Sequence, residues 1–186
     1  MMTLPRWLAG LGFATAGLLA LIGATASQGK LAESSEFSRG TIDLGVVVSD
    51  LEKSAKFYSE AIGLTEAEGF TAPGEFAGDA GLTANKPLKI RVFSLTSEPT
   101  ATKLKLMEVP GTPTGATEYI HSQTGFRYLT IFITDTTAAV ARLEKAGVKP
   151  LAKGPVPLPK GFPEGVFLTC VRDPDGNIVE LVGPKK

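Results

Sequence analysis

The sequence predicts an α+β protein made of two βαβββ modules, set side by side as one curved mixed sheet with its helices on the outside. Three observations carry this. A strand, cap, helix and glycine stop open at Thr41, the same series returns near Phe126, and three further β-rich runs follow each copy. Asp50 to Asp135 is 135 − 50 = 85 positions and Gly63 to Gly147 is 147 − 63 = 84. A near-constant offset across strand, cap, helix and stop marks an internal duplication.

The first module spans residues 41–109. Ile42-Asp43-Leu44-Gly45-Val46-Val47-Val48 is β-branched and reads as a strand. Ser49 with Glu52 three residues later forms a capping box, each side chain satisfying a backbone N–H that the first helical turn leaves free. Leu51, Ser54, Ala55, Tyr58 and Ile62 then share one helical face. Gly63 closes the helix, because glycine tolerates the left-handed conformation there. Strands follow near 64–71, 88–96 and 102–109, with the Gly- and Pro-rich stretch 72–87 lying as a loop over this half of the sheet.

The second module spans 126–183. Phe126 to Ile133 is its first strand, Thr134 or Asp135 caps its helix, Val140 and Leu143 lie on the apolar stripe, and Gly147 ends it. Strands follow near 148–153, 165–172 and 177–183. Asp173-Pro174-Asp175-Gly176-Asn177 joins the last two as a tight hairpin, Pro presetting φ and Gly supplying a positive one. Segment 110–125, rich in Gly, Pro and Thr, links the modules, and the Pro-rich stretch Lys153 to Pro163 is placed to flank a pocket.

Ahead of the modules the chain changes character. Arg6 is the only charge before Lys30, and the apolar run Trp7 to Gly23 ends at Ala24-Thr25-Ala26. Positive start, apolar centre and small-residue site make a secretory signal over residues 1–26, cleaved after Ala26. The protein is therefore expected to be exported, periplasmic or extracellular. The alternative is an uncleaved membrane anchor, since the apolar run approaches the length of a bilayer span. Residues 27–40 are polar, without apolar period, and read as a linker. Lys+Arg and Asp+Glu each total 19, and no basic stripe points to nucleic acid. A single cysteine, Cys170, allows no intramolecular disulfide and reads as a buried structural thiol on a strand.

The run Val48-Ser49-Asp50-Leu51-Glu52-Lys53-Ser54, then Phe57-Tyr58 and Ile62-Gly63-Leu64, resembles the opening of the vicinal oxygen chelate superfamily, also called glyoxalase/bleomycin resistance/dioxygenase. Asp173-Pro174-Asp175-Gly176-Asn177-Ile178-Val179-Glu180-Leu181 resembles its closing hairpin. The likeness covers Thr41 to Pro184, so 41–184 is taken as one domain. It implies a concave sheet in which four inward side chains, typically two His and two Glu on the first and last strands of each half, hold a divalent metal. It also leaves open whether modules pair within one chain or across a homodimer.

Carried over one by one, the four positions fall on Asp43, Lys105, Tyr128 and Glu180, and only Glu180 keeps the usual residue type. His121, the only histidine, lies in the linking segment and not at a ligand position. Strand alternation groups Asp43 with Gly45 and Val47, Lys105 with Lys103 and Met107, Tyr128 with Phe126, Thr130 and Phe132, and Glu180 with Ile178 and Val182.

No metal cofactor is expected. Asp43 and Glu180 could suit an oxygen-seeking divalent ion, but like charges a few Å apart cost about 4 kcal/mol even at an effective dielectric of 20, and Lys105 brings such a charge. Lys105 instead reads as counter-charge to Asp43 and Glu180. If that network is buried, losing one partner costs roughly 3–5 kcal/mol. The reading favoured is a metal-free pocket. Lys105 and Tyr128 would hold an anionic or hydroxylated small molecule, with Asp43 and Glu180 beside them and Phe132 and Val47 as apolar walls. One alternative is catalysis, with Lys105 as base or Schiff-base amine if burial lowers its pKa and Tyr128 or Glu180 as acid/base partner. A second is a metal-dependent lyase or dioxygenase with altered ligands. A third is a non-catalytic domain whose former site is filled by a polar plug.

Overall fold

A computed structural model of the chain describes residues 38–115 and 117–186. The signal segment 1–26 and most of the 27–40 linker lie outside the described residues. No described helix is long and apolar enough to cross a membrane.

Strands pair within each module. In the first, β1 (Leu44–Val48) runs parallel to β4 (Lys103–Glu108), with Gly45 opposite Lys105. Strand β3 (Leu88–Ser94) pairs antiparallel with β4, and β2 (Thr65–Ala72) lies antiparallel outside β3, giving the order β1-β4-β3-β2. In the second, β5 (Tyr128–Phe132) runs parallel to β8 (Ile178–Pro184), with Thr130 opposite Glu180. Strand β7 (Val166–Arg172) and the two-residue β6 (Val156–Pro157) complete the order β5-β8-β7-β6. The duplication thus holds at the level of register: Gly45↔Lys105 in one module is Thr130↔Glu180 in the other. Hydrogen bonding divides the eight strands into two four-stranded sheets.

Helix α1 (Leu51–Lys56) continues as a π-helical turn over Phe57–Ile62, and α3 (Thr136–Lys145) is its counterpart. Both pack on one face of the sheets. Leu51, Tyr58, Ile62, Ala139 and Leu143 share a single core cluster with Phe93, Leu104 and Leu106 of the first sheet and Val171, Val179 and Leu181 of the second. Each such Leu, Val or Phe contributes about 1.5–3 kcal/mol when fully buried. Alternation sends Lys103, Lys105 and Met107 of β4, and Ile178, Glu180 and Val182 of β8, to the opposite, inner face.

Three local readings change. The cap of α1 is Asp50, whose carboxylate accepts from the Lys53 N–H at 2.9 Å, and not a Ser49–Glu52 box. Ser49 donates its own N–H to Asp175, and Glu52 reaches Arg91 instead. The stretch 148–153 is not a strand. Pro150 has no N–H to give a ladder, and one bond, from the Leu151 N–H to the Cys170 carbonyl, ties the segment to β7. Pairing resumes at Val156, past a cis Gly154–Pro155 bond. Loop 72–87 contains a short helix, α2 (Gly74–Asp79), whose buried Ala77 packs on Leu88, Ile90 and Val92 over the inner face of the first sheet. The glycine stops are as expected, Gly63 at φ 88° and Gly147 at φ 74°.

The modules are joined by polar contacts at the ends of their helices. The hydroxyl of Tyr58, fully buried, donates to Asp173 Oδ2 at 2.9 Å. Arg142 of α3 donates from Nε to the Ala61 carbonyl at 3.0 Å and from Nη2 to the Ile62 carbonyl at 2.9 Å, satisfying acceptors that the first helix leaves open at its end. The closing hairpin therefore acts as the socket of the module seam.

Candidate functional site

The inner face carries two separate polar groups. In the first sheet, Asp43 sits just before β1 and accepts at Oδ1 from the Lys103 N–H at 3.1 Å, continuing the ladder with a side chain. Lys105 Nζ lies 3.0 Å from Asp43 Oδ2, and Arg39 Nη2 lies 2.8 Å from Oδ1. Lys103 extends its Nζ to Ser94 Oγ at 3.3 Å. Partial burial acts to raise the Asp43 pKa, but the Lys105 ammonium, the Lys103 N–H and the Arg39 guanidinium outweigh it and hold the carboxyl below its usual value. Two cationic side chains thus pair with one carboxylate, both of whose oxygens are engaged, while the Lys103 ammonium turns to Ser94.

In the second sheet, Glu180 Oε2 accepts from the Thr130 hydroxyl at 2.7 Å. Tyr128 stands one pair along the same face, opposite Ile178. Cys170 is paired across the ladder with Glu180, on the inner face and half-buried, so it is not the fully buried thiol expected. Burial, and after it the Glu180 charge, push its thiol up, which disfavours a thiolate. Tyr128 and Phe132 are 53% and 81% exposed, and Phe126 is fully exposed on the same alternation.

The expected single network is therefore two. Lys105 pairs with Asp43, while Glu180 has no cation within 4.0 Å among the described residues. The side chains of Lys105 and Asp43 are 32% and 19% exposed, so this is not the deeply buried pair whose rupture would cost several kcal/mol. Arg39 and Thr130 join the site without having been singled out: Arg39 lies in what reads as linker, and the counterpart of Thr130 in the first module, Gly45, has no side chain to mark the position. His121 is exposed in the linking segment, its ring stacked on Tyr119 at 5.4 Å.

A divalent metal does not fit this donor set. No three His, Cys, Asp or Glu side chains come together among the described residues. At the first-sheet positions a cation would share Asp43 with an ammonium and a guanidinium already within 3.0 Å.

Two sheets in the order β1-β4-β3-β2, repeated, with α1 and α3 on one face and an inner face that α2 covers only in part on the other, define a paired βαβββ protein. The chain belongs to the Glyoxalase/Bleomycin resistance protein/Dioxygenase superfamily, whose pattern matches residues 41–181. A glyoxalase family protein from Bacillus cereus is similar in structure, with TM-score 0.64, 19% identity, and coverage of 82% of this chain and 98% of that one. TnmS3, an antibiotic binding protein from Streptomyces sp. CB03234, is similar at TM-score 0.53 and 24% identity, covering 81% of this chain and 99% of that one. A glyoxalase I mutant from Zea mays is similar at TM-score 0.57 and 19% identity, over 77% of this chain and 45% of that one. No curated protein matches the chain in sequence.

Proposed function

We propose that this protein is an exported, metal-independent member of its superfamily that binds a small organic anion on the inner face of its sheets. The observation that carries the reading is the cluster at Asp43: Arg39 and Lys105 bring two positive charges to one carboxylate, and Lys103, on the same face of β4, turns its ammonium to Ser94 and adds a third positive charge with no carboxylate of its own within 4.0 Å among the described residues. An anionic group on the ligand supplies the missing negative charge at the place where the resemblance leads one to look for a metal. The exposed rings of Tyr128 and Phe132 offer flat apolar surface on the other half, suited to an aromatic body. One structural neighbour, TnmS3, is an antibiotic binding protein, and this reading brings small-molecule binding to the present chain. The face is open to solvent at Tyr128, Phe132 and Lys105, which supports a binding surface over a closed polar plug.

Calorimetric titration with a panel of aromatic carboxylates tests this. Binding to the wild type that weakens at least tenfold in Lys105→Met is expected; tenfold corresponds to about 1.4 kcal/mol. Equal binding of the carboxylates and their neutral amides would remove the charge argument. Sedimentation in the same samples reads whether a second copy also covers the aromatic face.

A further inference from the structure

We infer a second binding site, on the outer surface at the module seam, for a small amphipathic anion: an anionic head on a hydrocarbon body. A groove of about 530 Å³ runs between the first helix, the segment that follows α3, and the closing hairpin. That volume is of ligand-pocket size. Its floor is apolar, with Phe57, Ala61, Val148 and Pro174 among its lining, and Leu151 at its edge is 41% exposed.

The rim is cationic. Lys53 and Lys56 come from the first helix and Lys149 from the segment past α3. Glu60 is the one exposed carboxylate that lines the groove, and Lys56 holds it at 4.0 Å. Asp173 also lines it but is buried and occupied by Tyr58, Asn177 and two backbone N–H groups. Arg172 is committed to the carbonyls of Thr117, Glu118 and Gly176. Lys53 and Lys149 have no carboxylate within 4.0 Å among the described residues.

The duplication shows why the groove is open here. With the offset of 85, Arg142 corresponds to Phe57, since 142 − 85 = 57. Arg142 bridges the equivalent place on the other side of the molecule by binding the Ala61 and Ile62 carbonyls. Phe57 cannot donate a hydrogen bond, so on this side the seam is floored by an apolar ring and rimmed by lysines. Lysines pack their apolar stems on such a surface and keep their ammonium groups in water, which suits a carboxylate or sulfate head above an apolar tail. This site is separate from the inner face: none of Asp43, Lys105, Tyr128 or Glu180 lines it.

The test is calorimetric titration of the full-length protein with dodecanoate and with dodecanol, repeated on Lys53→Glu/Lys149→Glu and on Lys105→Met. Saturable binding of dodecanoate is expected, weakened at least tenfold by the double charge reversal and unchanged by Lys105→Met, with dodecanol binding at least tenfold more weakly than dodecanoate. Thermal melts check that the variants fold, and Leu151→Asp serves as a second probe of the floor. Three results each overturn the inference: no saturable binding, equal binding of the alcohol, or loss of binding in Lys105→Met rather than in the double variant. The last of these would move dodecanoate to the inner face and leave the proposed function standing.

Discussion

Replacing Tyr58 with Phe keeps the ring packed in the core and deletes only the hydroxyl that crosses the module seam. Asp173 accepts four hydrogen bonds: Tyr58 Oη and Asn177 Nδ2, each at 2.9 Å, on Oδ2, and the Asp175 N–H at 3.0 Å and Asn177 N–H at 2.8 Å on Oδ1. The variant leaves three. Hydrogen bonds to a charged group are worth about 1.5–3 kcal/mol, so a loss of about 2 kcal/mol is expected. For a domain of this size that lowers Tm by roughly 4–8 °C. The pH dependence gives a second reading. Burial above all, then the Asp173 charge and its hydrogen bond, raise the Tyr58 pKa far above the usual value. A pKa raised in the folded state contributes stability that is complete below the unfolded pKa. Wild-type stability should therefore fall as pH rises past about 10, where the unfolded tyrosine ionises and the folded one does not. Urea unfolding at pH 7 to 11 reads both effects. Tyr58→Phe should lower the curve at pH 7 and lose that part of the alkaline slope. A loss below about 0.5 kcal/mol with the slope unchanged would refute the seam argument, being no more than an ordinary surface substitution.

Other outcomes follow from the same contacts. Arg142→Ala should cost about 1–3 kcal/mol in urea unfolding, because two helix-end carbonyls lose their donors in a partly buried seam. Asp43→Asn should lower stability by at most about 1 kcal/mol, since the ion pair is partly exposed. At the acid end, Asp43 and Glu66 both have depressed pKa values. Glu66 is lowered by its hydrogen bonds to Arg91, and Asp43 by its cations against partial burial. Their contribution is present above the unfolded carboxylate range and lost as pH falls through the folded values, so stability should decline below about pH 4 and less steeply in Asp43→Asn. Gly63→Ala should destabilise by about 1 kcal/mol on melting, because the stop is held at φ 88° and the new Cβ would also press on Arg142.

The architecture was readable because both copies carry the same chemical punctuation. Asp50 and Asp135 cap, Gly63 and Gly147 stop, and strand alternation together with the resemblance assigns the inner-face positions. Where tertiary contacts decide, the sequence was silent. Helix α2 contains two glycines and forms over a place where Ala77 can bury against Ile90 and Val92. The π turn widens the first helix so that Phe57 and Ala61 are buried beside the expected stripe. Stretch 148–153 looked apolar enough for a strand, yet its proline and those that follow withhold ladder donors. At the site, strand alternation puts Lys105, Tyr128 and Glu180 on the inner face, as the structure has them. It could not say that Lys105 would choose Asp43 alone, because that depends on how far apart the two sheets hold their side chains. Nor could it bring Arg39 back from the linker onto Asp43.

Elemental analysis of protein purified without chelators tests the central claim most directly. If Lys105 and Arg39 occupy the place of a metal as partners of Asp43, the wild type carries no stoichiometric divalent ion and Lys105→Met, still lacking a ligand set, carries none either. Stoichiometric manganese, iron, nickel or zinc in the wild-type protein would contradict the account.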